Sequence, residues 1–150
     1  MTRPLAIRVH PDPVLRQACG PVTGDVTGLA RAMLDAMYAA PGRGLAAPQV
    51  GEAIRLFVMD AHWKDGVPDP RVFVNPAIAW TSPDTGVAEE ACLSIPDTPR
   101  RIRRPVACRL TFDRPGGRAE VTLDGIAARC ALHEMDHLDG VLILDHEVPA

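Results

Sequence analysis

Fifteen prolines in 150 residues constrain this chain more than any other feature of its sequence. Each proline fixes φ and removes a backbone donor, so the chain is cut into short elements. Residues 11–24, rich in Pro and Gly, read as an irregular arm. A helix is expected over 25–40, with Asp25 as its N-cap and Val26, Leu29, Ala30, Met33, Leu34 and Met37 at helical spacing. Pro41-Gly42 stops it. Residues 54–59 read as a strand, 61–70 as a polar loop, and 71–74 and 77–80 as two more short strands. Segments 105–113 and 118–123 flank Pro115-Gly116-Gly117 and read as a hairpin. Spacing then becomes helical over 126–138, where Ile126, Cys130, His133 and His137 share one stripe, and Gly140 ends that helix. A last strand is expected over 141–144. Helix, many strands, helix, joined by short turns, gives one α+β domain over residues 1–150 with mostly antiparallel sheets.

Composition narrows the function. Apolar residues make up 47% of the chain, enough for a packed core. A net charge of −3 gives no general attraction to DNA or to an anionic membrane, so neither is expected as a partner. The exception is the run Arg100-Arg101-Ile102-Arg103-Arg104, which reads as a solvated loop or strand edge. No apolar stretch approaches the roughly 20 residues that span a bilayer. Residues 1–8 are too short and too polar for a signal peptide, which makes the cytoplasm the expected compartment. Cys19, Cys92, Cys108 and Cys130 show no close pairing and read as thiols or ligands rather than disulfides.

The chemistry-bearing motif is His133-Glu134-Met135-Asp136-His137. Residues four apart on a helix point the same way, so both imidazoles can bind one ion. Glu134, about 100° around the helix, can reach a water there without being a ligand. A catalytic metal usually takes a third protein ligand. His10, His62 and His146 lie in unrelated segments, and Cys108 and Cys130 read as small buried apolar residues. Cys92 is the best candidate because its neighbours, Glu89-Glu90-Ala91-Cys92-Leu93-Ser94, form a recognisable block.

Three ordered blocks resemble the peptide deformylase family: Gly42-Arg43-Gly44-Leu45-Ala46-Ala47-Pro48-Gln49, Glu90-Ala91-Cys92-Leu93-Ser94, and His133 to His137. The opening, His10-Pro11-Asp12-Pro13-Val14-Leu15-Arg16, is also similar to the family's usual start. The resemblance implies three antiparallel sheets around a central helix that carries the two histidines. It implies a hydrolase that removes formate from N-terminal formyl-methionine of nascent polypeptides. Cys92, His133 and His137 would hold one divalent metal, ferrous iron natively, with zinc or nickel tolerated. Glu134 would move the protons, and Gln49 with the backbone N–H of Leu93 would bind the oxyanion. Arg43, Gly44, Glu90 and Arg129 would face the substrate. The partner would be an N-formylated peptide or nascent chain. A transient ribosome contact would follow from such a substrate, although four arginines in a run do not establish it.

The chain departs from the family on its substrate side. Ala91 replaces a glycine, and a methyl group there could crowd a peptide or require a shifted backbone. Arg43 and Arg129 stand where aliphatic residues are expected. Two further readings therefore stay open. One is a deformylase-like hydrolase acting on a different N-acyl substrate through a more basic pocket. The other is a metal-binding protein without turnover, for which retention of Glu134 and Gln49 would have no purpose. A thermolysin-like peptidase would take a carboxylate third ligand and leave the Cys92 block unexplained.

Overall fold

The computed structural model describes residues 5–149; residues 1–4, part of the segment read as unlike a signal peptide, lie outside the described residues. Along the chain come α1 (Thr27–Ala39), β1 (Gly44–Ala46), β2 (Leu56–Met59), β3 (Arg71–Thr81), β4 (Thr85–Cys92), β5 (Ile95–Pro105), β6 (Ala107–Arg114), β7 (Gly117–Asp124) and α2 (Gly125–Leu138). Strands β1-β2-β3-β6-β7 form a five-stranded sheet in that order, and β4-β5 form a separate ribbon. All these pairs are antiparallel, so the α+β reading holds, with two sheets among the described residues rather than three. No helix of the described residues is long and apolar enough to cross a membrane.

The five-stranded sheet separates the two helices. In β2 all four residues are buried, because alternate side chains face opposite ways. Leu56 and Val58 pack with Ala30, Met33 and Met37 of α1. Phe57 and Met59 pack with Ala128, Ala131, Leu132, Met135 and Leu138 of α2. Phe57 stacks on Phe73 at 4.7 Å, and Phe112 meets Phe73 edge-on. Beyond α2, the ribbon closes a third cluster of Leu15, Cys92, Ile95, Ile102, Leu142 and Ile143. Helix α2 is thus central, with sheet on one side and ribbon on the other.

Local signals explain most boundaries. The N-cap of α1 is Val26 rather than the expected Asp25, but Asp25, one residue earlier, still accepts from the Thr27 N–H through Oδ1 at 2.9 Å. Arg114 pairs with Gly117 across a two-residue turn of Pro115 and Gly116, whose φ of 90° suits glycine in a type II turn. Gly140, at φ 74°, follows α2 as expected.

Two further expectations are corrected, and one segment that the sequence left without an element gains one. Segments 71–74 and 77–80 are one strand, β3, with an irregularity at Asn75-Pro76. Asn75 sits at φ 49° and its side chain bonds the backbone of Val22 in both directions. Residues 85–105 form the ribbon, which the proline- and arginine-rich sequence conceals. Two strands without further neighbours are both edges, where Pro96 and Pro99 cost no inner ladder bond. Residues 141–144 do not form a strand. The Asp145 carboxylate accepts from the Leu142 N–H at 2.8 Å and draws Ile143–Asp145 into a 3-10 turn.

Candidate active site

Helix α2 presents His133 and His137 from consecutive turns, with their Nε2 atoms 3.2 Å apart. Cys92 arrives from the end of β4, where the pairing register shifts between Glu90 and Cys92. Its Sγ lies 3.4 Å from His137 Nε2. One ligand atom from each of the three residues falls within 4.8 Å of the others. Helix and ribbon thus bring together a thiol and two imidazoles that the sequence keeps about 40 residues apart.

The donor set fits a divalent metal of borderline softness. His133 Nδ1 faces Glu90 Oε1 at 2.9 Å, which fixes the proton there and leaves Nε2 free as a ligand. Burial disfavours the His133 cation, but the charge of Glu134 and the contacts with Cys92 and Glu90 outweigh it and raise the pKa to about 10. The same field that favours a proton on this ring favours a metal cation. His137 is pushed the other way, by burial and by its cationic neighbours.

Glu134 is 3% exposed, and its Oε1 is buried without a hydrogen-bond partner. Burial, chiefly, raises its pKa to about 7. Gly44 is required at its side: a Cβ there would lie 2.5 Å from Glu134 Oε2 and 2.8 Å from Cys130 Sγ. Gln49, fully buried, is held at both ends. Its Oε1 accepts from the Ala46 N–H at 2.9 Å, and its Nε2 donates to Ser94 Oγ at 3.0 Å and lies 3.8 Å from Cys92 Sγ. Sequence reasoning gave Ser94 no role, and its place beside Gln49 is a finding of the fold.

Behind the histidines is a buried charge cluster. Glu90 accepts from Arg104 through two bonds, at 2.6 and 3.0 Å, and from Arg129 at 2.7 Å. Arg104 also reaches Asp136 at 2.9 Å. Burial alone would raise the Glu90 pKa, but the bonds from His133 and Arg104 bring it down to about 2. The sequence placed Arg104 in a solvated run; it is 4% exposed. Alternation along β5 was the available signal, since Ile102 and Arg104 turn inward while Arg101 and Arg103 turn out.

The matched family model, described as polypeptide deformylase, covers residues 4–150. The chain belongs to the polypeptide deformylase family. It is 45% identical over 142 residues to a peptide deformylase of Mesorhizobium japonicum, covering 92% of this chain and 81% of that protein. A crystal structure of peptide deformylase from Thermotoga maritima superposes with a TM-score of 0.92 at 41% identity, covering 99% of this chain and all of that one. The Synechococcus elongatus peptide deformylase, solved in complex with actinonin, gives 0.89 at 39% identity, over 97% of this chain and 82% of that one.

Deformylases are metalloenzymes, and the cavity beside the three candidate ligands has a volume of about 520 Å³. Arg43, Gly44, Gln49, Glu90, Leu93 and Arg129 all line it. Within this deformylase site, Glu90 spends its carboxylate on His133, Arg104 and Arg129, so it faces the histidine and the arginines rather than open space. Arg129 turns inward too: besides Glu90 it donates to the backbone oxygens of Ile102 and Gly86, at 3.0 and 2.9 Å. Ala91 is exposed and has no positive φ, so the missing glycine costs no backbone strain. Cys108 is fully buried as expected, whereas Cys130 lines the cavity and donates to the Arg43 carbonyl at 3.4 Å. Burial, foremost, holds the Cys130 thiol protonated. His146 packs against the helix, 2.8 Å from Asp136.

Proposed function

We propose that this chain is a metal-dependent amidohydrolase that removes the formyl group from the N-terminal residue of newly made polypeptides. Ferrous iron is the metal of this reading, with zinc or nickel as substitutes, held by Cys92, His133 and His137. The supporting observation is the convergence of those three donor atoms beside the buried carboxylate of Glu134 at the floor of one cavity. A bound divalent metal supplies Lewis acidity, which brings the pKa of water from about 16 to near 7.

The chain's own groups do the rest. Glu134, unpartnered at Oε1, accepts the proton of the attacking water as its oxygen bonds to the formyl carbon. Gln49 Nε2, fixed by Ser94 and lying beside Cys92, is placed to donate to the formyl oxygen as it gains charge, together with the Leu93 N–H. Glu134 returns its proton to the leaving nitrogen as the C–N bond breaks. Formic acid and a free amine leave the site and become formate and an ammonium group at neutral pH, so atoms and charge balance. A cytoplasmic site of action follows from this substrate.

The Glu134→Gln variant tests the assignment. It should bind metal as the parent does and release formate from formyl peptides about 10²- to 10⁴-fold more slowly, because an amide cannot accept the proton. Near-parental formate release by the fully metal-loaded variant would remove Glu134 from the mechanism.

A further inference from the structure

The cavity wall carries a cation that the fold leaves unpaired. Four charged groups behind the wall cancel. Arg104 is shared between Glu90 and Asp136, and Arg129 pairs with Glu90, giving two guanidiniums and two carboxylates. Arg43 stands apart. It lines the same cavity, is partly buried, and makes no side-chain hydrogen bond or ion pair among the described residues. Its Nε is buried without a partner. Glu89 also lines the cavity, but it is exposed, pairs in register with Arg101, and makes no ion pair with Arg43.

Position makes this cation relevant to substrate. The Arg43 carbonyl is pinned by the Asp60 N–H at 2.8 Å and by Cys130 Sγ. The next residue, Gly44, lies beside Glu134, so that a Cβ on it would come within 2.5 Å of Glu134 Oε2. The arginine therefore projects from a fixed point, next in the chain to the glycine that lies beside the proton-transfer group. A peptide whose formyl group lies between Glu134 and the three donor atoms must run its first side chain along this wall. Ile126 and Ala88 give that wall apolar surface, and Arg43 gives it a charge. A guanidinium nitrogen that is buried and unpaired is costly, and a thioether or an alkyl chain cannot compensate it. A carboxylate can, with two parallel hydrogen bonds.

Resting on the deformylase reading above, we infer that Arg43 is a specificity-determining residue: it favours an N-formyl peptide whose first side chain carries a carboxylate over one whose first side chain is neutral and of the same shape. The neutralised Arg129 forms the back of the pocket and contributes little to the choice.

The test uses metal-loaded protein and three matched peptides, formyl-Glu-Ala-Ser, formyl-Gln-Ala-Ser and formyl-Met-Ala-Ser, with formate release as the readout. Glu and Gln share shape, so their ratio isolates charge. In the parent protein kcat/KM for the Glu peptide should exceed that for the Gln peptide by about 10- to 100-fold. The ratio should fall to near one in Arg43→Gln and recover in part in Arg43→Lys, which keeps the charge without the fork. A ratio near or below one in the parent, or a ratio unchanged in Arg43→Gln, overturns the proposal. If no peptide releases formate, the deformylase reading fails instead. Calorimetric binding of the corresponding N-acetyl peptides then decides the pocket separately. Tighter Glu than Gln binding that depends on Arg43 sustains it, and equal binding overturns it.

Discussion

The floor and the wall of the cavity are built on opposite principles. On the floor, nearly every polar group is tied to at least one other. His133 leans on Glu90, Glu90 on Arg104, Arg104 on Asp136, and Gln49 on Ala46 and Ser94. On the wall, Arg43 has no side-chain partner, Ala91 is exposed, and Ile126 is half open to solvent at 43%. Changing one floor residue strands its neighbours as unsatisfied buried groups, which costs free energy whatever the new side chain does. Changing Arg43, Ala91 or Ile126 strands no hydrogen-bond partner of its side chain. Chemistry that must not drift belongs on the first kind of surface, and specificity that differs among relatives belongs on the second.

The largest effect should come from the ligands. Cys92→Ala and His133→Ala each remove one of three donors, and elemental analysis should show metal content reduced to a small fraction of the parent's. Full occupancy in either variant would take that residue out of the ligand set. Next comes Glu90→Gln, one step behind the floor. Arg104 and Glu90 are only 5% and 6% exposed at their side chains, so the change leaves a buried guanidinium with Asp136 alone as its anion. Breaking such a pair costs on the order of 3 kcal/mol, and losing the carboxylate behind His133 should weaken metal binding about 10- to 100-fold. Denaturant unfolding and metal titration read the two effects separately. A variant with parental stability and parental affinity would show that the floor is not cross-braced in this way.

The two surfaces also differ in how far the sequence exposes them. The His-Glu-Met-Asp-His stripe on α2 is local, since helical period alone puts both imidazoles on one face. The same holds for α1 and for the β6–β7 hairpin, whose apolar spacing and turn residues are contiguous. The ribbon was not legible, because β5 holds prolines and four arginines that resemble a loop, and its pairing with β4 is what buries Arg104. The resemblance of the sequence block around Cys92 to a family motif supplied that ligand, but nothing in the sequence says that one carboxylate, Glu90, serves His133 and two arginines together. That depends on three segments separated by 14 to 43 positions. The final segment misled for a similar reason. Val141 to Leu144 has strand composition, yet Asp145, three residues beyond Leu142, captures the Leu142 N–H first.

The smallest effect, and the one that divides the wall most finely, is expected from Arg129→Ile. Both arginines were read as substrate-facing, but the fold has spent one of them. Removing Arg129 takes one charge-assisted bond from Glu90, which keeps Arg104 and His133, and it frees the carbonyls of Ile102 and Gly86. With its side chain 21% exposed, the cost to stability should be near 1 kcal/mol. The Glu-to-Gln preference should change by less than about threefold, because the field felt by a ligand comes from Arg43 and not from a guanidinium already paired. Added apolar surface should instead raise kcat/KM for formyl-Met-Ala-Ser by roughly two- to fivefold, the worth of about one newly buried methylene. If Arg129→Ile abolished the preference for a carboxylate as fully as Arg43→Gln, the ion pair with Glu90 would not be neutralising Arg129 in the presence of substrate. The wall would then have to be treated as a two-arginine clamp that trades Glu90 for the ligand.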